Sequence, residues 1–362
     1  MKLPKGYYAI ASDYENAGDS FSFKGVEYEV EKGVNLFATV TEALESIGQD
    51  TPEEAIDGLE GELYTCPVML LSAGIHLVGK NKLSWVNLKI SVAIVGQKAG
   101  ISPNLPRENG IEAPALNPER ECADEETVLV GGYDYGAVTV SDPKVDFFAV
   151  DGVTCSGDVR FRDLRVTDLE TDCKFVFKNI IHKSPTGKSL YTMSSVGEGL
   201  PYMREAIIEN VRLDKDFFDL GYGAICFSLA NPKTTIKNFC VDGTTQLIGF
   251  SNIPKTQVSG CRFCELSEIN IIDSYFARID SENGLCTTVK EGALRLNVEN
   301  TLFVDSSRMN ESPLQISLPD ERSELILRNC RVVDTRGTTA PAIEIRGSGK
   351  SIVNSSEKEY LM

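Results

Sequence analysis

Histidine is nearly missing from this chain: His76 and His182 are the only two in 362 residues. Neither stands in a Ser/His/Asp or Cys/His signature, so nucleophilic acyl transfer finds no support. Positive charge is also short, with 36 Lys+Arg against 53 Asp+Glu, a formal charge of −17. Duplex binders draw affinity from Lys and Arg that neutralise phosphates, which excludes nucleic acid as the expected partner. The same imbalance disfavours docking on an anionic membrane surface. No apolar run approaches the roughly 20 residues that cross a bilayer, so no membrane insertion is expected. The opening MKLPKGYYAIASDYENAG has no apolar h-region, and no signal peptide is expected there. Either the cytoplasm or the mature part of a secreted or cell-surface protein stays open. TGKS in KSPTGKSLY lacks the first glycine of a phosphate-binding loop.

Hydrophobic content of 42% and charged content of 25% suit a packed core rather than disorder. The ten cysteines are spread along the whole length, unlike a small disulfide-stapled domain. Cys261 and Cys264 form a CxxC with no second CxxC to complete a zinc site, and it sits in a strand-like run. The cysteines are expected to act as small buried hydrophobes, and no metal site is assigned.

Helical spacing is absent after residue 50 or so. A repeat takes its place. Asparagine recurs within short Val/Ile/Phe/Thr-rich runs: FVFKNIIH (Asn179), IIENVRL (Asn210), TIKNFCV (Asn238), NVENTLF (Asn300), LILRNCRV (Asn329) and SIVNSS (Asn354). Asp273 and Gly260 compete for one slot, and Asp163 in DVRFRDLRV falls too close before Asn179. A second strand follows each corner at a similar offset, as in LCTTVKE, LQISLPD and AIEIRGS. Strand, Asn corner, strand, loop, strand is the unit of a coil of stacked parallel strands. An Asn at the same bend of every turn can hydrogen-bond its neighbours and satisfy buried polar groups along the stack.

These features resemble the parallel β-helix proteins of the pectin-lyase-like superfamily. FATVTEALESIG (37–48), CPVMLLSAGIHLVGKNKL and VNLKISVAIVGQKAG are similar to that group's opening: a capping helix, a strand ending in a Gly turn, then a second strand. Phe37, Val40, Ala43, Leu44 and Ile47 share one helix face. The resemblance implies an all-β fold, a right-handed parallel β-helix (solenoid) with an N-terminal hairpin and capping helix. Residues 1–60 then hold the hairpin, centred on the Lys-Gly of SFSFKGVEYEVEKG, and the helix. Residues 61–355 form the β-helix and 356–362 a tail. A long insertion at 97–126, with four prolines and no period, folds over a groove or mediates packing between subunits. A homotrimer with an active site between subunits is one such arrangement.

Alternation on the later strands sends Ile343, Ile345, Leu314, Ile316 and Leu318 inward and leaves Gln315, Glu344 and Arg346 outside. Glycoside hydrolysis needs two carboxyl groups roughly 5–9.5 Å apart, and adjacent turns lie about 4.8 Å apart. Asp320, Glu344 and Glu291 are therefore the candidate catalytic carboxylates. Lys290, Arg346 and Gln315 are the candidate substrate-binding groups. The expected function is a carbohydrate-active enzyme, a glycoside hydrolase acting on a poly- or oligosaccharide without a cofactor. A polysaccharide lyase is the alternative, with Lys290 or Arg346 as base and Ca²⁺ held by residues such as Asp214, Asp216 and Asp219. LDKDFFDLG lacks a complete calcium-loop pattern, and the net charge disfavours a polyanionic substrate. A non-catalytic glycan-binding, adhesin- or tailspike-like β-helix is the other alternative.

Overall fold

The computed structural model describes residues 1–56, 59, 64–79, 81, 86–108, 110–121, 123–131, 138–140, 142, 144–156, 159, 161–163, 174–183, 191–193, 205–213, 225–227, 233–242, 248–250, 266–278, 285–287, 293–307, 310–318, 320–354 and 359–360. The chain is a right-handed parallel β-helix of about eight turns. One turn illustrates the unit. A first-face strand, Ala293–Glu299, reaches the corner at Asn300 and a second-face strand, Leu302–Val304, follows. The third-face strand Leu314–Leu318 closes the turn. In earlier turns the first two strands run together as Lys174–Lys183, Glu205–Leu213 and Lys233–Asp242, bent at the corner. Among the described residues, the first two faces consequently form one 19-stranded sheet, and the third face is a separate sheet of nine.

Side-chain period two decides what lies inside. Ile94, Val150, Phe177, Ile208, Ile236, Ile271, Val298 and Leu327 stand in register on successive turns. All are buried in one continuous core. Parallel register stacks like on like, so Phe148 and Phe175, paired on successive turns, have ring centroids 5.9 Å apart, while Phe161 of the third face meets Phe177 across the core at 5.1 Å.

The corner is held by backbone conformation and by side-chain hydrogen bonds together. Asn179, Asn210, Asn238, Asp273, Asn300 and Asn329 all have φ between 48° and 54°. That left-handed region favours Asn and Asp over other non-glycine residues. Each amide then donates down the stack: Asn179 Nδ2 to Asp151 Oδ1 (2.6 Å), Asn210 to Asn179 and Asn238 to Asn210 (both 2.9 Å). Beyond Asp273 the ladder resumes with Asn300 to Asp273 (3.1 Å) and Asn329 to Asn300 (2.8 Å). In the turn before Asn179 the corner is Gly152, at φ 69°. A Cβ on Gly152 would lie 1.9 Å from Ala99 N, so the close approach of the insertion demands glycine.

Register settles two positions that the sequence left open at this corner and moves a third. Asp273 takes the contested slot, because Lys237 pairs with Ile272 and Cys240 with Tyr275; Gly260 lies outside the described residues. Asp163 ends the third-face strand Phe161–Asp163 and is not a corner. Asn354 pairs with Arg328, one position short of the corner held by Asn329.

The extra segments cover two faces. Ser20–Phe23 and Val26–Glu29 form the expected hairpin, with Lys24 and Gly25 both at positive φ in its turn. Its Phe21, Phe23 and Tyr28 pack with Val68, Leu70, Ala93, Val95 and Ala149, outside the first face. The strand Tyr7–Ile10 joins that face beside Val68–Leu71, a pairing that the sequence did not reveal. The helix is shorter than its pattern, Val40–Ser46, because Thr39 caps it by accepting from Glu42 N (3.1 Å). Glu42 Oε2 in turn accepts from Ala38 N at 3.2 Å, one residue before the cap, a bond akin to that of a capping box. Phe37 belongs instead to the short strand Leu36–Phe37.

The 97–126 insertion lies along the corner and over the second face as a strap. Its Asn104 Nδ2 donates to Val211 O (3.1 Å) and Asn238 O (2.9 Å). Arg120 donates to Asn179 O at 2.8 Å, and Arg107 to Asn300 O at 3.4 Å. Carbonyls turned aside at the bends thereby gain donors, as buried backbone groups require. Ile111 and Ala113 pack on Tyr275, Leu302 and Val333.

Candidate functional site

With the hairpin over the first face and the strap over the second, the third-face strands stack in strict register. The backbone column runs through Asn87, Thr139, Arg162, Thr192, Cys226, Gly249, Cys286, Gln315 and Glu344. Leu314, Ile316 and Leu318 are buried on the opposite side, as alternation requires. Ile343 packs against the core, whereas Ile345 on the last third-face strand is 38% exposed.

Gln315, Glu344 and Arg346 come together on the outer side. Gln315 Nε2 donates to Glu344 Oε2 at 3.2 Å. Arg346 Nε and Nη2 both donate to Glu344 Oε1, at 2.9 and 2.7 Å. The Arg346 guanidinium, and then the Gln315 amide, hold the Glu344 carboxyl below its ordinary range. An ionised carboxylate in this position can accept hydroxyl protons or activate water, but it cannot donate a proton as an acid.

Asp320 is not part of that cluster. Glu344 pairs with Gln315, whereas Gly347 pairs with Leu318, and Asp320 lies two residues further on in the turn. Glu344 to Gly347 alone spans about 10 Å of strand. Asp320 instead accepts from Arg322 N (2.8 Å), Nε (3.0 Å) and Nη2 (2.7 Å). Those bonds, the side-chain ones first, hold its carboxyl down at about 2. Register therefore separates the two carboxylates that consecutive turns suggested as a pair. Lys290 and Glu291 lie outside the described residues, as do Asp214, Asp216 and Asp219. Among the described residues, no group of three His, Cys, Asp or Glu side chains is arranged to hold a metal.

A second constellation stands at the head of the asparagine ladder. A cavity of about 490 Å³ is lined by Lys24, Leu59, Ala99, Gly100, Ile101, Asp151, Lys178, Asn179, Glu209 and Asn210. Lys24 sits on the hairpin turn and clamps the strap, with its N donating to Gln97 Oε1 (2.7 Å) and its Nζ to Ala99 O (2.6 Å). Asp151, Lys178 and Glu209 occupy one register column immediately before the corner. The pattern of KN, EN and KN at 178–179, 209–210 and 237–238 carries this column in the sequence. What the sequence could not show is that the hairpin and strap would border it.

Among the described residues, both histidines and four buried cysteines are structural. His182 is fully buried, with Nε2 2.9 Å from Val159 O, and desolvation pushes it down to about 4. His76 is buried beside Ser72 O at 2.8 Å and is lowered by the same cause. Cys66, Cys155, Cys240 and Cys330 are buried thiols, and burial raises all four, Cys66 to about 12 and Cys240 to about 11. They behave as apolar core residues rather than nucleophiles. Cys261 and Cys264 lie outside the described residues.

No protein-family model, curated protein or solved structure matches the chain.

Proposed function

We propose that this protein is carbohydrate-active and holds a poly- or oligosaccharide along the outer side of its third face, as a member of the pectin-lyase-like group. The observation that carries this is the Gln315–Glu344–Arg346 cluster on the face that neither hairpin nor strap covers. Sugar hydroxyls donate and accept together, and the cluster offers an ionised acceptor beside planar donors. The β-helix fold itself is compatible with both carbohydrate-active and adhesin-like proteins, so it supports the class and not the reaction.

In the hydrolase form, Glu344 is the water-activating base or nucleophile and Glu291 supplies the acid. Two facts favour a non-catalytic glycan binder as the second reading: Arg346 engages Glu344, and Arg322 engages Asp320. Both ion pairs keep these groups charged. Oligosaccharides are screened for reducing-end release and, in parallel, for binding by calorimetry. Hydrolysis predicts release by the wild type that is lost in Glu344→Gln and Glu291→Gln. Binding that Arg346→Ala abolishes, with no release by any form, selects the binder. Release or binding that persists in all of these variants removes the third-face site.

A further inference from the structure

We infer that the cavity at the head of the asparagine ladder is a separate binding site for one neutral pyranose unit. It rests on the carbohydrate reading for the class of ligand, but not for its position, which lies off the third face.

Size, charge and shape point the same way. A volume of about 490 Å³ falls in the range of small-molecule sites, roughly 300–1,000 Å³. Its two lysines, Lys24 and Lys178, are matched by two carboxylates, Asp151 and Glu209. A ligand carrying a single charge would meet a like charge as well as an opposite one. The charged groups are moreover already engaged: Lys24 Nζ on Ala99 O, Glu209 on Lys237 (3.1 Å) and Asp151 on Asn179. Engaged carboxylates keep lone pairs for hydroxyl donors, and ammonium groups have three N–H each. Such a lining suits hydroxyl groups better than counter-ions.

The two walls differ in character. Leu59, Ala99 and Ile101 form an apolar side contributed by the segment before the strap and by the strap itself. The ladder column forms the polar side. A pyranose ring has the complementary shape, with C–H groups on its faces and hydroxyls around its rim. Because hairpin, strap and ladder each contribute, a ligand here would tie the three segments together and stabilise the folded chain by mass action.

Methyl glucopyranoside, galactopyranoside and mannopyranoside are titrated into the full-length chain labelled at Ile and Leu methyls, with glucuronate and glucosamine as charged controls. At least one neutral glycoside should shift the Ile101 and Leu59 methyl signals. Its affinity should fall roughly tenfold in Glu209→Gln and in Lys178→Met, the effect of losing one hydrogen bond to a charged group. Arg346→Ala should leave that titration unchanged. The inference is overturned if no neutral glycoside moves those methyls, or if a charged control binds there more tightly. It is equally overturned if shifts persist undiminished in both cavity variants. Glycosides that bind only through the third face, lost in Arg346→Ala with Ile101 and Leu59 still, would sink the cavity site while sustaining the function proposed above.

Discussion

Removing Arg120 tests whether the strap holds the solenoid or merely lies on it. Its side chain is wholly buried and donates to Glu126 Oε1 (2.8 Å), Asn179 O (2.8 Å), Ile101 O (3.1 Å) and Val153 O (3.4 Å). Glu126 Oε1 also accepts from Thr154 Oγ1 at 2.6 Å, so one guanidinium joins strap, corner and second face. Arg120→Met leaves Glu126 as a buried charge without its cation, a loss of about 3–5 kcal/mol. Unfolding entropy of about 2.1 cal/mol/K per residue, over 362 residues, converts that loss to a fall in Tm of about 4–7 °C. Arg120→Met combined with Glu126→Leu removes both charges and should recover most of the loss, because an apolar replacement of a buried pair is close to neutral. Urea midpoints for wild type, single and double variants supply the measurement. A single variant within about 1 kcal/mol of wild type, or a double variant worse than the single, would refute the reasoning. Rapid proteolysis within 97–126 at an unchanged global midpoint would refute it too, since the strap would then open independently of the turns.

Three further outcomes follow from the ladder and the core. Asp273 has no N–H to donate to Asn238, so Asp273→Asn should complete the ladder and stabilise by about 0.5–1.5 kcal/mol, read from urea midpoints; a loss would mean the carboxylate is preferred there. Asn210→Ala should cost about 1 kcal/mol more than Asn210→Gly, because both lose the amide bonds but only glycine accepts φ 54° freely; equal losses would show that backbone strain is not involved. His182 is lowered to about 4 from 6.5, so the unfolded chain binds the extra proton. Its contribution is intact above pH 6.5 and is lost as pH falls from there towards 4, about 3 kcal/mol in all. His182→Leu should flatten that part of the stability profile, leaving the smaller slope of His76, and an unchanged slope would exclude His182 as its source.

Much of the architecture was legible because a solenoid writes its period into the chain. Asn179, Asn210, Asn238, Asn300 and Asn329 could be read as corners since few residues tolerate a left-handed bend and also bond their neighbours. Inward and outward positions at 314–318 followed from alternation alone. Asn354 was misread, and Asp163 could not be placed, because a polar residue after a short β-run looks alike at a corner and at a strand end. Only pairing register tells the two apart. The candidate site was less legible for the same reason: Gln315, Glu344 and Arg346 do meet, but Asp320 was placed by sequence proximity, and its turn carries it away to Arg322.

What the sequence by itself determined, then, is a periodic coil with an acidic, histidine-poor composition and an asparagine at its bend. Its local rules, alternation and left-handed propensity, need no knowledge of distant residues. Where the non-repeating segments go was decided by tertiary structure alone. The hairpin covers the first face because its aromatic side chains find Val68, Leu70 and Val95 there. The strap runs along the corner because Asn104, Arg107 and Arg120 supply donors to carbonyls that the bends leave unpaired. These long-range contacts leave Gln315, Glu344 and Arg346 uncovered and border the cavity beside Lys178 and Glu209, and neither outcome follows from any local pattern.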